Sequence, residues 1–385
     1  MKQIPMVDLK GQYLKIKEEV DKGIQEVIDN TAFIGGPAVK QFQQELAASQ
    51  GVKHAIACAN GTDALQIAMM ALGLKPGDEV ITSDFTFIAT VEVIALLGLT
   101  PVLVDVEPNY FNIDIERLRK AITPRTKAIV PVHLFGQCAN MEEIMKIAAE
   151  YNLYVIEDTA QAIGSDYYFS DGTTAKAGTI GHIGTTSFFP SKNLGCYGDG
   201  GALFTNDDNL AAMMQSIINH GMKVRYYHER IGVNSRLDTI QAAVLRAKLP
   251  HLDQYIKARI SVADYYAEAF GHCRNLRIPA RNPYSLHTFH QYTLVLDNIN
   301  RASLQNHLTE KGIASAVYYP VPLHLQDAFK GYSYNPDDFP VTEYLCKNVL
   351  SLPIHTEMDN ETLRYITDSV MEFVDRRSCG GCCCG

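Results

Sequence analysis

The sequence contains no apolar run near the ~20 residues that a membrane-spanning helix needs. Its first residues, Met1 to Lys10, alternate polar and apolar side chains where a secretory leader would have an apolar stretch. Neither a membrane protein nor an exported one is expected, and a cytoplasmic enzyme is the default. Excess positive charge is missing too: 34 Lys and Arg stand against 43 Asp and Glu, a net charge of -9. The basic residues are scattered, whereas a nucleic-acid surface needs them clustered. No internal repeat of solenoid or propeller length is present. What remains, 385 residues at 46% hydrophobic and 20% charged, is an ordinary globular composition with enough chain for about two or three domains.

Nine cysteines are present, yet Cys379, Cys382, Cys383 and Cys384 crowd into a Gly/Cys tail, residues 378–385, that fits no fold and reads as a disordered end or vector-derived scar. Its Cys379-Gly380-Gly381-Cys382 spacing offers half of a four-ligand zinc site, so no metal is expected. The other five are far apart, as reduced and mostly buried thiols are.

Apolar spacing predicts a helix from Tyr13 to Asn30, ended by Gly35-Gly36-Pro37. A helix opens at Asn60-Gly61-Thr62. Short apolar runs follow at Glu79 to Thr82, Pro101 to Val106, Lys127 to Val132 and Leu153 to Ile156, separated by helical stretches at Ala89 to Leu97, Ile115 to Ile122 and Met141 to Tyr151. This alternation predicts an α/β fold with a mostly parallel sheet covered on both faces, which binds ligands beyond the carboxyl ends of its strands. Further strands are expected at Gly184 to Phe189 and Gly201 to Thr205, and a helix from Asp207 to Asn219 capped by Asn206. The stretch Tyr168 to Ile183 has no assigned role. A long helical stretch, Asp238 to Phe270, contains Pro250, which should break or kink it. The expected division is a large domain over 1–250 with an N-terminal helical arm, and a small α/β domain over 251–377. The small domain's expected elements are strands at Gln291 to Leu296, Ile313 to Tyr318 and Val349 to Leu352, with helices at Ala302 to Lys311 and Glu361 to Asp375.

Four short segments could carry chemistry. Ser187-Phe188-Phe189-Pro190-Ser191-Lys192 sets a lysine past an apolar strand and before the glycines of Gly195 to Gly201; a surface lysine in a turn fits equally. Val155-Ile156-Glu157-Asp158-Thr159-Ala160-Gln161 ends a buried strand with two carboxylates, and buried charge needs a partner such as a protonated ring nitrogen. A helix cap explains Asp158 almost as well. Asn60-Gly61-Thr62-Asp63 offers backbone amides and a hydroxyl for a phosphate, or ordinary capping. Phe87 could stack on a flat ring, or be a core aromatic. Taken together, these are the parts of a pyridoxal phosphate site.

At this point the chain resembles the fold type I, pyridoxal phosphate-dependent sugar aminotransferases of the DegT/DnrJ family, from about Ile4 to Val374. The resemblance rests on Cys58 to Leu65, Glu157 to Gln161, Ser187 to Lys192, Gly198-Asp199-Gly200-Gly201 and Asn234 to Ala243. It implies that Lys192 bonds the cofactor covalently, Asp158 pairs with its ring nitrogen and Gln161 meets its ring hydroxyl. Phe87 would cover the ring, and Gly61, Thr62 and Ser187 would hold the phosphate. Asn234 would reach the phosphate in a neighbouring subunit, which implies a homodimer with shared sites. Within the family the nearest likeness is to aminotransferases of UDP-2-acetamido-2-deoxy-3-oxo-glucuronate, which serve surface polysaccharide and O-antigen synthesis. By that likeness Phe33, Ser191, Arg236, Tyr318 and Tyr319 contact the nucleotide-sugar, and glutamate is the expected amino donor. Tyr318 stands where a histidine is expected, which leaves open a dTDP-linked 3-oxo or 4-oxo 6-deoxy sugar. A sugar dehydratase of the same fold would carry histidine in place of Lys192. A regulatory protein, or a cofactor-binding scaffold without turnover, is the non-enzyme alternative.

Overall fold

The structure, a computed structural model, describes residues 3–332 and 334–379. Most of the Gly/Cys tail, residues 380–385, lies outside the described residues. Seven strands form the central sheet: β1 (His54–Cys58), β2 (Glu79–Ser83), β3 (Thr100–Val104), β4 (Thr126–Val130), β5 (Tyr154–Asp158), β6 (Ile183–Ser187) and β7 (Gly201–Thr205). They lie in the order β1-β7-β6-β5-β4-β2-β3. From β6 through β5, β4 and β2 to β3 the pairing is parallel, while β7 runs antiparallel to both β6 and β1. The expected α/β fold with a mostly parallel sheet is the observed one.

Alternate side chains along each strand face opposite sides, and the core divides accordingly. Ile56, Val80, Ile156 and Leu203 pack under the helices Gly61–Ala71, Ala89–Leu96 and Asp208–Ile217. On the other face Ala57 and Phe204 meet Phe42 and Leu46 of Pro37–Gln50 and Leu245 of Thr239–Lys248, while Ile81, Ile129 and Val155 meet Ile144 and Ile147 of Met141–Tyr151. With both faces covered, every residue of β2 and β7 is buried, the polar Glu79, Thr82 and Ser83 of β2 included.

A second, three-stranded antiparallel sheet contains β8 (Leu276–Arg277), β9 (Tyr292–Leu296) and β10 (Val349–Leu352). Its core gathers Leu294, Leu350, Leu304, Ile366 and Val370. Pro250 sits in a 3-10 turn, Leu249–His251, between Thr239–Lys248 and Leu252–Phe270. The latter helix serves both cores, with Leu252 and Ile256 toward the large sheet and Val262, Tyr266 and Phe270 toward the small one. We propose a large and a small domain meeting near Pro250, bridged by this helix.

Several local expectations are corrected. The N-terminal helix is two helices, Leu9–Lys15 and Lys17–Asp29, parted at Ile16, where the backbone leaves the helical region. Gly36-Pro37 does more than end a helix: it starts Pro37–Gln50, with proline in the first turn, where its missing N–H costs nothing. The cap of Asp208–Ile217 is Asp207, whose carboxylate accepts from the amides of Asn209 and Leu210, and not Asn206. Ile313 to Tyr318 makes isolated bridges, Ile313 to Ile4 and Ala316 to Ser351, in place of the expected strand. Helix Pro340–Asn348 and strand β1 had no expected counterpart.

Candidate functional site

The carboxyl ends of β1, β2, β4, β5 and β6 open into one cleft of about 760 Å³. Asn60, Gly61 and Thr62 enter from β1, Thr86 and Phe87 from β2, Val132 from β4, Asp158 and Gln161 from β5, and Ser187, Ser191 and Lys192 from β6. His290, Gln291, Tyr318 and Tyr319 close the other side.

Lys192 follows the turn in which its amide donates to the Phe189 carbonyl. Among the described residues no acceptor pairs with Nζ. Burial pulls its pKa down to about 8, against a weaker pull upward by the charge of Asp158. Asp158 is 6% exposed, and both of its oxygens are engaged: Oδ2 accepts from Thr90 Oγ1 at 2.8 Å and Oδ1 from the Ala160 amide at 3.1 Å. The carboxylate is thus fixed in direction before any ligand binds. Gln161 is fixed as well, because Oε1 accepts from the Phe135 amide at 2.8 Å and Nε2 donates to the Tyr319 hydroxyl at 3.0 Å. That phenol's pKa is pushed up by burial.

The phosphate corner can be tested on its geometry. Asn60 caps the helix Gly61–Ala71 by accepting from the Asp63 amide, which leaves the first-turn amides of Gly61 and Thr62 without intrahelical partners. A Cβ added to Gly61 would lie 2.7 Å from Ser187 Cβ, so only a bare backbone fits beside that hydroxyl. Amides and two hydroxyls therefore converge as an anion cradle. Phe87 is 54% exposed although it lies in a cleft, with its ring 6.2 Å from that of Tyr319; an aromatic left open in this way has a face to give to a flat ring. His290 is 5% exposed, and its Nδ1 has no partner among the described residues. Burial, Lys192 and Arg259 push its pKa well down, so the imidazole is neutral. A lysine amine, an aimed carboxylate, an amide donor, a ring face and an anion cradle in one cleft fit pyridoxal phosphate.

A family profile, the DegT/DnrJ/EryC1/StrS aminotransferase family, matches residues 14–371. The chain belongs to this aminotransferase family. It is 46% identical over 374 residues, 96% of this chain and 98% of the other, to a "Pleiotropic regulatory protein" of Geobacillus stearothermophilus. It is 45% identical over 363 residues, 94% of this chain and 98% of the other, to the UDP-2-acetamido-2-deoxy-3-oxo-D-glucuronate aminotransferase of Pseudomonas aeruginosa. Among solved structures, that of DesV from S. venezuelae, in complex with a ketimine intermediate, superposes with a TM-score of 0.93 at 37% identity, covering 98% of this chain and 100% of that one.

Three residues that the family resemblance singled out do not line the Lys192 cleft of this chain. Phe33 is 46% exposed, and its carbonyl accepts from the Thr239 amide. Asn234 is exposed and bridges to Asn219, whose Oδ1 also accepts from Arg236 Nη1 at 3.1 Å.

Sequence reasoning missed Thr90 and the role of Glu157. Thr90 aims Asp158, and its signal was its place in the first turn of the helix after Phe87. Glu157, adjacent to Asp158, points to the opposite face and is wholly buried. Oε2 pairs with His133 Nε2 at 2.9 Å and accepts from the Gly178 amide, while Oε1 accepts from the amides of Ile180 and Gly181. The Ala139 amide donates to His133 Nδ1, so Nε2 carries the proton given to Glu157. The stretch from Tyr168 to Ile183 folds back as a hairpin, Asp166–Tyr168 with Thr174–Lys176, and its return leg is held on this carboxylate by the amides of Gly178, Ile180 and Gly181. Glu157→Ala, which strands these donors, should destabilise the protein by about 3–5 kcal/mol. Denaturant unfolding checks it, and a loss below about 1 kcal/mol would show that the donors find other acceptors.

Proposed function

We propose that this aminotransferase uses pyridoxal 5'-phosphate to move an amino group from an amino acid, glutamate first among candidates, to a keto carbon of a nucleotide-linked sugar. The observation that carries this reading is the enclosed, unpartnered Lys192 amine sharing a cleft with the doubly anchored Asp158. When bound, the cofactor supplies an aldehyde for covalent attachment and a ring that takes up electron density as the donor's α-proton leaves. Lys192 Nζ, with a pKa near 8, can both accept that proton and return it. Asp158 would keep the proton on the ring nitrogen, Gln161 would serve the ring hydroxyl, and Gly61, Thr62 and Ser187 would hold the phosphate. Phe87 would cover the ring. Ser191, Tyr318 and Tyr319 would form the sugar's side of the cleft.

The working unit in this reading is a cytoplasmic homodimer. Asn234, Arg236 and Phe33, which lie outside the cleft of their own chain, would complete the site of the second subunit. The exposure of Ile34 (58%), Tyr226 (76%), Tyr227 (72%) and Ile231 (87%) on the same segments supports an interface there. The substrate we favour is UDP-2-acetamido-2-deoxy-3-oxo-glucuronate, feeding surface polysaccharide such as O-antigen. Tyr318, in a histidine's place, favours as second reading a dTDP-linked 3-oxo or 4-oxo 6-deoxy sugar. The deciding experiment converts the protein to its pyridoxamine form and offers a panel of nucleotide keto-sugars while the cofactor's absorbance is followed. A spectrum unmoved by glutamate and by every sugar would leave a binding or regulatory protein.

Arg236 tests the sugar's charge. Among the described residues it makes no ion pair, and its one hydrogen bond leaves most of the guanidinium fork free for a planar carboxylate. Arg236→Lys keeps the charge but loses the fork, so KM for the 3-oxo-uronate should rise about ten-fold, with the glutamate half-reaction less affected. Faster turnover of a neutral 6-deoxy sugar by the unaltered enzyme would remove the uronate from consideration.

A further inference from the structure

Asp84 follows β2 directly and stands three residues before Phe87; His324 stands five residues beyond Tyr319. Both side chains are fully buried. His324 Nδ1 lies 2.6 Å from Asp84 Oδ2, and the His324 backbone amide donates to Asp84 Oδ1 at 2.8 Å. One carboxylate thus clamps both the ring and the backbone of a single residue. The imidazole is stacked on Phe339, with centroids 4.3 Å apart and planes 16° from parallel, so it has no freedom to turn away. Among the described residues its Nε2 has no hydrogen-bond partner, and it lies 3.8 Å from Glu343 Oε1.

Packing alone does not account for such a pair. Burying a carboxylate is costly, and apolar residues of equal volume would often stabilise as well or better. What an apolar pair lacks is direction. The two chain segments joined here carry the two sides of the cleft, for Tyr319 sits with its ring 6.0 Å from Phe85 and 6.2 Å from Phe87. We propose that Asp84 and His324 form a positioning latch: their hydrogen bonds hold the Tyr318–Tyr319 wall at a set distance from Phe87 and so fix the width of the cleft where the sugar enters. The effect on substrate rests on the aminotransferase reading, whereas the latch itself does not.

Two variants separate the hydrogen bond from the packing. His324→Asn places an amide N–H where Nδ1 stands, and His324→Gln places it where Nε2 stands, away from Asp84. In the full chain, hydrogen–deuterium exchange of the amides from 318 to 326 should speed up about ten-fold in His324→Gln and stay near the parent rate in His324→Asn. With the keto-sugar, His324→Gln should raise KM about ten-fold with kcat within about three-fold, and His324→Asn should restore KM. Equal exchange in both variants, or none altered, overturns the latch, since a packing role would move both alike. Should His324→Gln not fold, Asp84→Asn, which keeps one acceptor oxygen, is read by the same two measurements. If the unaltered enzyme turns over no keto-sugar, the functional reading fails while exchange still decides the latch.

Discussion

Lys192→Ala should fold as the parent does and yet lose at least about 10³-fold in turnover, because positioned proton transfer alone is worth ~10²–10⁴-fold and covalent attachment is lost with it. Borohydride reduction of the loaded parent, followed by peptide mapping, should place the cofactor on the peptide bearing Lys192. A different labelled lysine would collapse the assignment. The amine's environment adds a second check. Burial disfavours the ammonium, so the reactive neutral form should dominate above pH about 8, where an exposed lysine, which titrates near 10.5, would still be protonated. The rate at which cofactor-free protein captures pyridoxal phosphate should therefore climb with pH, with a midpoint near 8, and flatten beyond it. A midpoint near the exposed value would show that the amine is not enclosed as described.

Asp158→Asn should lower kcat by about 10²-fold or more while cofactor retention changes far less, because a preorganised charge acts mainly on the transition state. The substitution suits the site, since an amide oxygen can still accept from Thr90 Oγ1 or from the Ala160 amide, so the fold should survive. Steady-state rates compared with equilibrium dialysis of the cofactor decide it. Near-parent kcat would mean that the carboxylate is only a cap for the chain after β5.

The legible parts of the sequence were those where one local rule acts alone. The helix Met141–Tyr151 and the strands β7 and β10 lie where apolar spacing put them, because each buries a simple pattern. The cleft residues were legible because glycines, a lysine and paired carboxylates follow strand ends. Spacing misled where pairing is non-local: the apolar run at Ile313 looked like a strand, but a ladder needs a neighbour that only the fold can provide. The latch residues Asp84 and His324 lie 240 residues apart, and no periodicity reports such a contact. Arg236 was visible as a residue but not as a position, since a single chain leaves it outside its own cleft.

The Glu157 carboxylate has an implication for how such a chain changes over generations. It holds the stretch after β5 through the amides of Gly178, Ile180 and Gly181, which belong to the main chain whatever side chains are attached. The hairpin tip can be lengthened or replaced by a binding epitope, provided the new turn supplies its own cap for that of Asp171 and a glycine for the positive φ of Gly172, while Asp158, one residue away on the other face of the strand, keeps its aim. The stretch is thus a natural place for lineages to diverge, and for grafting, at little risk to the chemistry.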